Sequence, residues 1–250
     1  GDLASRVPVD DGSEVGLLQA GFNRMAEGLE ERERLRDLFG RHVGEGVARA
    51  ALDAEVSLGG EEREVGALFV DLVGSTAMAV ERPPSDVVRL LNSFFRIVVE
   101  LVEENGGFVN KFEGDAALCV FGAPVDRPDP AGCALISARL LAARLAEEVP
   151  ETGFGIGVSA GRAVAGNIGA EHRFEYTVIG DPVNEAARLS DLAKARGEPV
   201  LASEAAVERA GEEAQRWRVS GSETLRGRDR PTGLAVPVEL SEQAARTPAK

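Results

Sequence analysis

The sequence predicts an α+β fold, with helices packed on a mainly antiparallel sheet and a coiled-coil helix in front of it. Three observations predict this. Apolar residues recur at alternating steps of three and four from Val15 to Leu29. From Glu64 onward, short apolar runs alternate with helical patterns. Clusters of Gly, Pro and Asn separate the segments. With 250 residues, 44% of them hydrophobic, the chain can build one full-sized domain and a small one. A net charge of -14 disfavours nucleic acid as a partner, because a phosphate-backbone binder needs a surplus of Lys and Arg. Cys119 and Cys133 are the only cysteines and lie in no metal-type spacing, so buried reduced thiols are expected and a metal site has to use carboxylates. No run approaches the roughly 20 apolar residues of a membrane span, and the start has no signal-peptide pattern, so this stretch is expected to be soluble.

Gly1 to Val9 is a polar connector that reaches the turn cluster Asp10-Asp11-Gly12-Ser13. From Val15, the residues Leu18, Phe22, Met25 and Leu29 form an a/d seam, which either meets a partner helix or lies on the chain's own domain. Beyond Leu29, Arg32 falls where an apolar residue is due, and Leu35, Leu38 and Phe39 resume about one residue early, so a supercoil cannot run through unchanged. The helix is expected to end near Gly40, with Gly44, Gly46 and Gly59-Gly60 punctuating a link.

Val65 to Val70 then reads as a strand, and Val87 to Val102 as a helix with Leu91, Phe94, Val98, Leu101 and Val102 on one face, stopped by Asn105-Gly106-Gly107. Phe108 to Phe121 reads as two strands around a turn at Glu113-Gly114. After the Pro-rich break from Arg127 to Pro130, Ala131 to Glu148 reads as a second helix. A strand pair is expected over Phe154 to Ile168, a strand over Phe174 to Ile179, and a helix from Pro182 to Ala195 with Pro182 in its first turn. Arg216 to Val219, Glu223 to Arg226 and Leu234 to Val238 complete the pattern as short strands. The order βαββαβ, with helices on one sheet face, is the ferredoxin-like arrangement.

Asp71 ends an apolar strand and opens the small-residue turn Leu72-Val73-Gly74-Ser75-Thr76, whose backbone N–H groups suit a metal-bound phosphate. Asp115 sits in the Glu113-Gly114-Asp115 turn. If its strands lie beside that of Asp71, the two carboxylates converge, and a shared cation, Mg2+ or Mn2+, is the expected offset; otherwise both are solvated turn residues. Asn184 and Arg188 are four apart on one helix face.

Three stretches, Phe69 to Thr76, Asn110 to Asp115 and Tyr176 to Leu189, resemble the signatures of class III nucleotide cyclases, in the family's order, over about Glu64 to Leu240. Gly1-Asp2-Leu3, Val7-Pro8-Val9, Asp11 to Gly16 and Phe22-Asn23-Arg24-Met25 resemble the connector and second helix of a HAMP domain. The resemblance implies a partial HAMP domain at 1–30, a helical transducer at 31–60, a cyclase catalytic domain at 61–240 and a flexible tail at 241–250. It also implies an upstream transmembrane sensor region, with the domain on the cytoplasmic face of the membrane.

The implied activity is adenylate cyclase, making 3′,5′-cyclic AMP from ATP with two divalent metal ions at a homodimer interface. Asp71, Asp115 and the Leu72 carbonyl would hold the metals, and the Val73, Gly74, Ser75 and Thr76 backbone the β and γ phosphates. Asn184 would position the ribose, and Arg188 would meet charge on the transition-state phosphate, for which its fixed fork of donors is suited. Lys111 and Thr177 would read the base. Lys donates only, which favours the adenine N1 acceptor, and the Thr hydroxyl, where many relatives carry Asp, can accept from the 6-amino group. Arg226 stands where the family has a triphosphate-contacting Lys. A guanylate cyclase would place an acidic residue at 111. A catalytically silent dimerisation module would lack a metal Asp or the helix Asn and Arg, and none is lost. His42 and His172 read as surface residues; Trp217 and Cys119 read as core.

Overall fold

The computed structural model describes residues 3–9, 14–44, 46–48 and 58–238. The expectations placed on Gly1-Asp2, Asp10 to Ser13, Arg49 to Ser57 and the tail lie outside them. The chain divides into two units, residues 1–55 and 56–250.

The described part of the first unit is dominated by one long helix, α1 (Glu14–Val43), with a connector held along it. Asn23 makes the attachment: its amide oxygen accepts the Val7 N–H at 2.9 Å and its amide nitrogen donates to the Val7 carbonyl at 2.8 Å. Arg6 adds a 2.8 Å ion pair to Glu30. The seam residues Leu18, Phe22, Met25 and Leu29 are all exposed, Leu18 at 75%. The helix runs past Gly40 to Val43, and Gly44, at φ 87, ends it by donating back to the Gly40 carbonyl at 2.8 Å.

The second unit is one sheet with helices on both faces. Its elements are β1 (Gly59–Leu72), α2 (Ser75–Glu81), α3 (Pro84–Glu104), β2 (Phe108–Glu113), β3 (Ala116–Phe121), α4 (Pro130–Glu148), β4 (Phe154–Ala170), β5 (Arg173–Ile179), α5 (Asp181–Arg196), β6 (Val200–Ser203), α6 (Glu204–Glu208), a 3-10 turn (Gly211–Arg216), β7 (Trp217–Glu223) and β8 (Thr232–Pro237). The strand order is β2-β3-β1-β4-β6-β8-β7, with β5 on β4; every pairing is antiparallel except β4 with β6.

Alternation along the strands sorts the core into two layers. Leu68, Val70 and Leu72 of β1, with Ile156 and Val158 of β4, pack under α3 and α4 against Phe94, Ile97, Leu135 and Leu141. The helix face predicted for α3 is buried except for Leu91, which is only partly so, and Leu90 and Ile97 are buried with it. On the other face, Leu189 and Ala193 of α5 meet Leu201, Leu225, Leu234 and Val236. The two crossover helices thus share one face, as the ferredoxin-like pattern requires, and the third helix covers the opposite one.

Four expectations are corrected. Gly59-Gly60 belongs to β1, because β4 extends far enough to pair with it. The strand pair expected over Phe154 to Ile168 is one 17-residue strand, kept continuous by β1 on one side and β5 on the other. Leu225 and Arg226 lie in a loop after β7. Cys133 is only partly buried, whereas Cys119 is fully buried and its thiol is pushed up by burial. β6, only four residues long, was not anticipated.

Candidate active site

Asp71 lies one residue from the end of β1, opposite Ala116 of β3, and Asp115 immediately precedes Ala116 in the turn after β2. Gly114 makes that turn at φ 69. The two carboxylates therefore come together. Burial pushes the Asp71 carboxyl above its usual range, its hydrogen bond and charge contact with Lys194 oppose this, and the Asp115 carboxylate reinforces it.

Lys194 was not anticipated. It reaches from the last turn of α5 to Asp71, with Asp191 at 3.4 Å on its other side. Gly155 clears its path, since a Cβ there would lie 2.5 Å from the Lys194 Cγ. Burial works against the ammonium, yet its pairing with Asp71, supported by Asp191, holds its pKa above the ordinary lysine value. A cation is thus already drawn to the carboxylate pair. The donor set is two hard carboxylates, with no cluster of three or more ligating side chains among the described residues. This fits a divalent ion that takes its remaining ligands from water and substrate phosphate.

Val73 is tied to the β4 approach by its N–H to the Gly153 carbonyl at 2.8 Å. Gly74 follows at φ 75 as the N-cap of α2, and no side chain caps that helix. Ser75 and Thr76 open its first turn.

Lys111 and Thr177 lie on β2 and β5. Lys111 faces Glu113 at 3.5 Å and is about two-fifths exposed. Asn110 joins the two strands: its amide donates to the Tyr176 carbonyl at 2.9 Å, and its oxygen is 3.1 Å from the Thr177 hydroxyl. Asn184 and Arg188 both sit on the exposed face of α5, Arg188 3.6 Å from Asp191. His42 and His172 are exposed and Trp217 is buried.

Arg226 is exposed between two anchors. Leu225 is buried in the α5 cluster, and Arg228 is paired with Asp181 at 2.8 Å and with Glu185 at 3.0 Å. Glu185, buried on the inner face of α5, also accepts from Ser159 at 2.6 Å and Thr232 at 3.0 Å. Lys194 and Arg228 lie outside the signature stretches, and Glu185, though inside one, faces the sheet and not the site, so only tertiary register reveals their partners.

A family model for the adenylate and guanylate cyclase catalytic domain matches residues 60–236, and one for the HAMP domain matches residues 1–31. The chain belongs to the adenylate and guanylate cyclases. The Mycobacterium tuberculosis (strain ATCC 25618 / H37Rv) protein "Uncharacterized protein Rv1318c" is 56% identical over 243 residues, 97% of the cyclase chain and 45% of that protein. The chain therefore spans about half the length of the curated relatives it matches. Among solved structures, the adenylyl cyclase CyaB from P. aeruginosa shares the fold at TM-score 0.64 and 23% identity, over 72% of the chain and 96% of its own. The guanylyl cyclase Cya2 matches at TM-score 0.57 and 28% identity, over 71% and 93%.

The Arg228 contacts carry a first prediction for the cyclase domain. Arg228→Met removes the cation beside a buried carboxylate, while Ser159 and Thr232 still donate to it. The expected loss is about 1–3 kcal/mol of folding stability, read by urea denaturation. An unchanged midpoint would show that the loop is held by Leu225 alone.

Proposed function

We propose that the chain is an adenylate cyclase. It converts ATP to 3′,5′-cyclic AMP and pyrophosphate at a site completed by a second copy, as the output of a HAMP-containing receptor on the cytoplasmic face of a membrane. The observation that carries this reading is the convergence of Asp71 and Asp115 at the end of the sheet, where they already draw the Lys194 ammonium. Class III cyclases generally use divalent metals; Asp71, Asp115 and the Leu72 carbonyl would hold Mg2+ or Mn2+, which when bound supplies Lewis acidity for the ribose 3′-hydroxyl and offsets charge on the triphosphate.

The chain's own residues bind and orient. The bond from O3′ to the α-phosphorus forms as the bond to the pyrophosphate oxygen breaks, and the hydroxyl proton is released. Asn184 aligns the ribose for that in-line geometry. Arg188 places a charge that cannot be lost against the α-phosphate oxygens as negative charge redistributes. Arg226 and the Val73 to Thr76 backbone hold the outer phosphates, and Lys111 and Thr177 read adenine.

Two observations support a homodimer. Arg188 is six residues before Lys194, roughly 9 Å of helix rise from the Asp71 pair, and it points outward with Asn184. The α1 seam also lies exposed along its length. No helix among the described residues is long and apolar enough to cross a membrane; the proposal of an upstream membrane anchor is supported by the HAMP match.

The test is product formation from ATP and from GTP, with Mn2+ and with Mg2+, over a range of protein concentration. Metal-dependent cyclic AMP, rising more steeply than linearly with protein, is expected. Dominant cyclic GMP would establish the guanylate alternative, and no product at high concentration would establish a silent signalling module.

A further inference from the structure

We propose that Asn110 fixes the polarity of the base pocket, making it accept a 6-amino purine and reject a 6-oxo purine; this rests on the reading of Lys111 and Thr177 as the base-contacting pair. A threonine hydroxyl by itself cannot make that distinction. It carries one proton and two lone pairs on a free rotor, so it can accept from the adenine amino group or donate to the guanine O6. Something has to hold its proton.

Asn110 is placed to do so. The β2–β3 register is Val109 with Cys119 and then Lys111 with Leu118, so Asn110 is the extra residue of a β-bulge. A bulge re-aims a side chain out of the strand's alternation. Here the side chain crosses to β5, where the amide orientation is settled by its partners and not by its own shape. The Tyr176 carbonyl can only accept, so the amide nitrogen must face it, at 2.9 Å. The amide oxygen is then the atom 3.1 Å from the Thr177 hydroxyl. That oxygen can only accept, so the hydroxyl donates to Asn110. What Thr177 offers a base is lone pairs alone, the polarity a carboxylate would present. An adenine amino group finds an acceptor there, whereas a guanine O6 meets a second acceptor and loses its hydrogen bond. Lys111, a donor only, sets the complementary requirement one ring position away. The pocket is selective because two strands hold both polarities fixed before the nucleotide arrives.

The experiment measures kcat/KM for ATP and for GTP in the full chain, for the wild type, Asn110→Ala, Thr177→Val and the double variant. Asn110→Ala frees the hydroxyl to turn, and the ATP:GTP ratio is expected to fall about tenfold, the worth of one neutral hydrogen bond, mainly through a gain with GTP. Thr177→Val is expected to lower the ratio through loss of ATP. In the Thr177→Val background, Asn110→Ala should then change the ratio no further, because it acts through the hydroxyl. An unchanged ratio in Asn110→Ala overturns the proposal, and so does an equal fall with and without the hydroxyl, which would mark a structural role. Thr177→Val preserves shape at a half-buried position, so it decides the matter even if Asn110→Ala does not fold: an unchanged ratio there also overturns the proposal. Wild-type protein that turns over neither triphosphate would instead overturn the cyclase reading on which this inference rests.

Discussion

Asp71→Ala is expected to lower cyclic nucleotide formation by about 10³-fold, with either metal and at every protein concentration. The reasoning starts from electrostatics. Asp71 is partly buried beside another carboxylate, an arrangement that costs stability unless a cation shares it. In the nucleotide-free chain Lys194 provides that cation, and the ammonium is in turn steadied by Asp191. Stability alone does not require the arrangement, because a pair of apolar residues would serve the fold as well. The carboxylate therefore earns its place through what it binds. Asp71→Asn is the control that separates loss of chemistry from loss of folding. It keeps the shape and an oxygen for Lys194 to donate to, and removes the charge. Both variants should lose product, while Asp71→Asn keeps a thermal midpoint within a few degrees of the wild type, as expected for a change near 1 kcal/mol. Product within tenfold of the wild type in both variants would falsify the metal assignment.

How much of this was legible in the sequence differs between backbone and side chains. The Asp71 turn, the Gly114 hairpin and the α5 helix could be read because each is written locally: an apolar run ending at a polar turn, a glycine at a left-handed position, a proline in a first turn. β4 misled because its glycines look like punctuation. Its long partner β1 keeps it extended through Gly161 and Gly166, and β5 joins on the other side from Val164 onward. β6 has four residues and no alternation longer than its own length, so periodicity cannot separate it from a loop. The side chains around the site failed to show for a different reason. Lys194 meets Asp71 only because Gly155 stands opposite Asp71 in the β1–β4 register and has no side chain to block the way. Asn110 was visible as part of a motif, but its work depends on a bulge that a sequence pattern does not reveal. The a/d seam of α1 was legible as periodicity, and its residues are exposed in the single chain, which is compatible with the proposed homodimer.

Gly157→Ala is expected to cost about 4 kcal/mol of stability, a size reserved for a few mechanisms, of which backbone overpacking is one. Gly157 lies on the β4 face that carries α5. A Cβ there would stand 2.0 Å from the Ala186 carbonyl oxygen and 2.3 Å from the Ser190 nitrogen. Both are backbone atoms in the middle of a regular helix, so no rotamer change can relieve the contact, and α5 has to lift away from the sheet. Lifting it uncovers Leu189 and Ala193, which pack with Leu201, Leu225, Leu234 and Val236. The functional consequence follows from what α5 carries on its other side. Asn184 and Arg188 move with the helix, and a displacement of about 1 Å at such groups costs on the order of 10²-fold in rate even where the chemistry is intact. Gly197→Ala is the informative comparison. That glycine ends α5 at φ 68 with open space around its Cβ position, so only conformational strain of about 1 kcal/mol is expected, with Asn184 and Arg188 left in place. Chemical denaturation of both variants, paired with product formation at temperatures where each is folded, distinguishes the two effects. A Gly157→Ala variant as stable as Gly197→Ala would mean that α5 does not ride directly on the strand backbone, and the placement of Asn184 and Arg188 would then have to be fixed by the Glu185–Arg228 contacts instead.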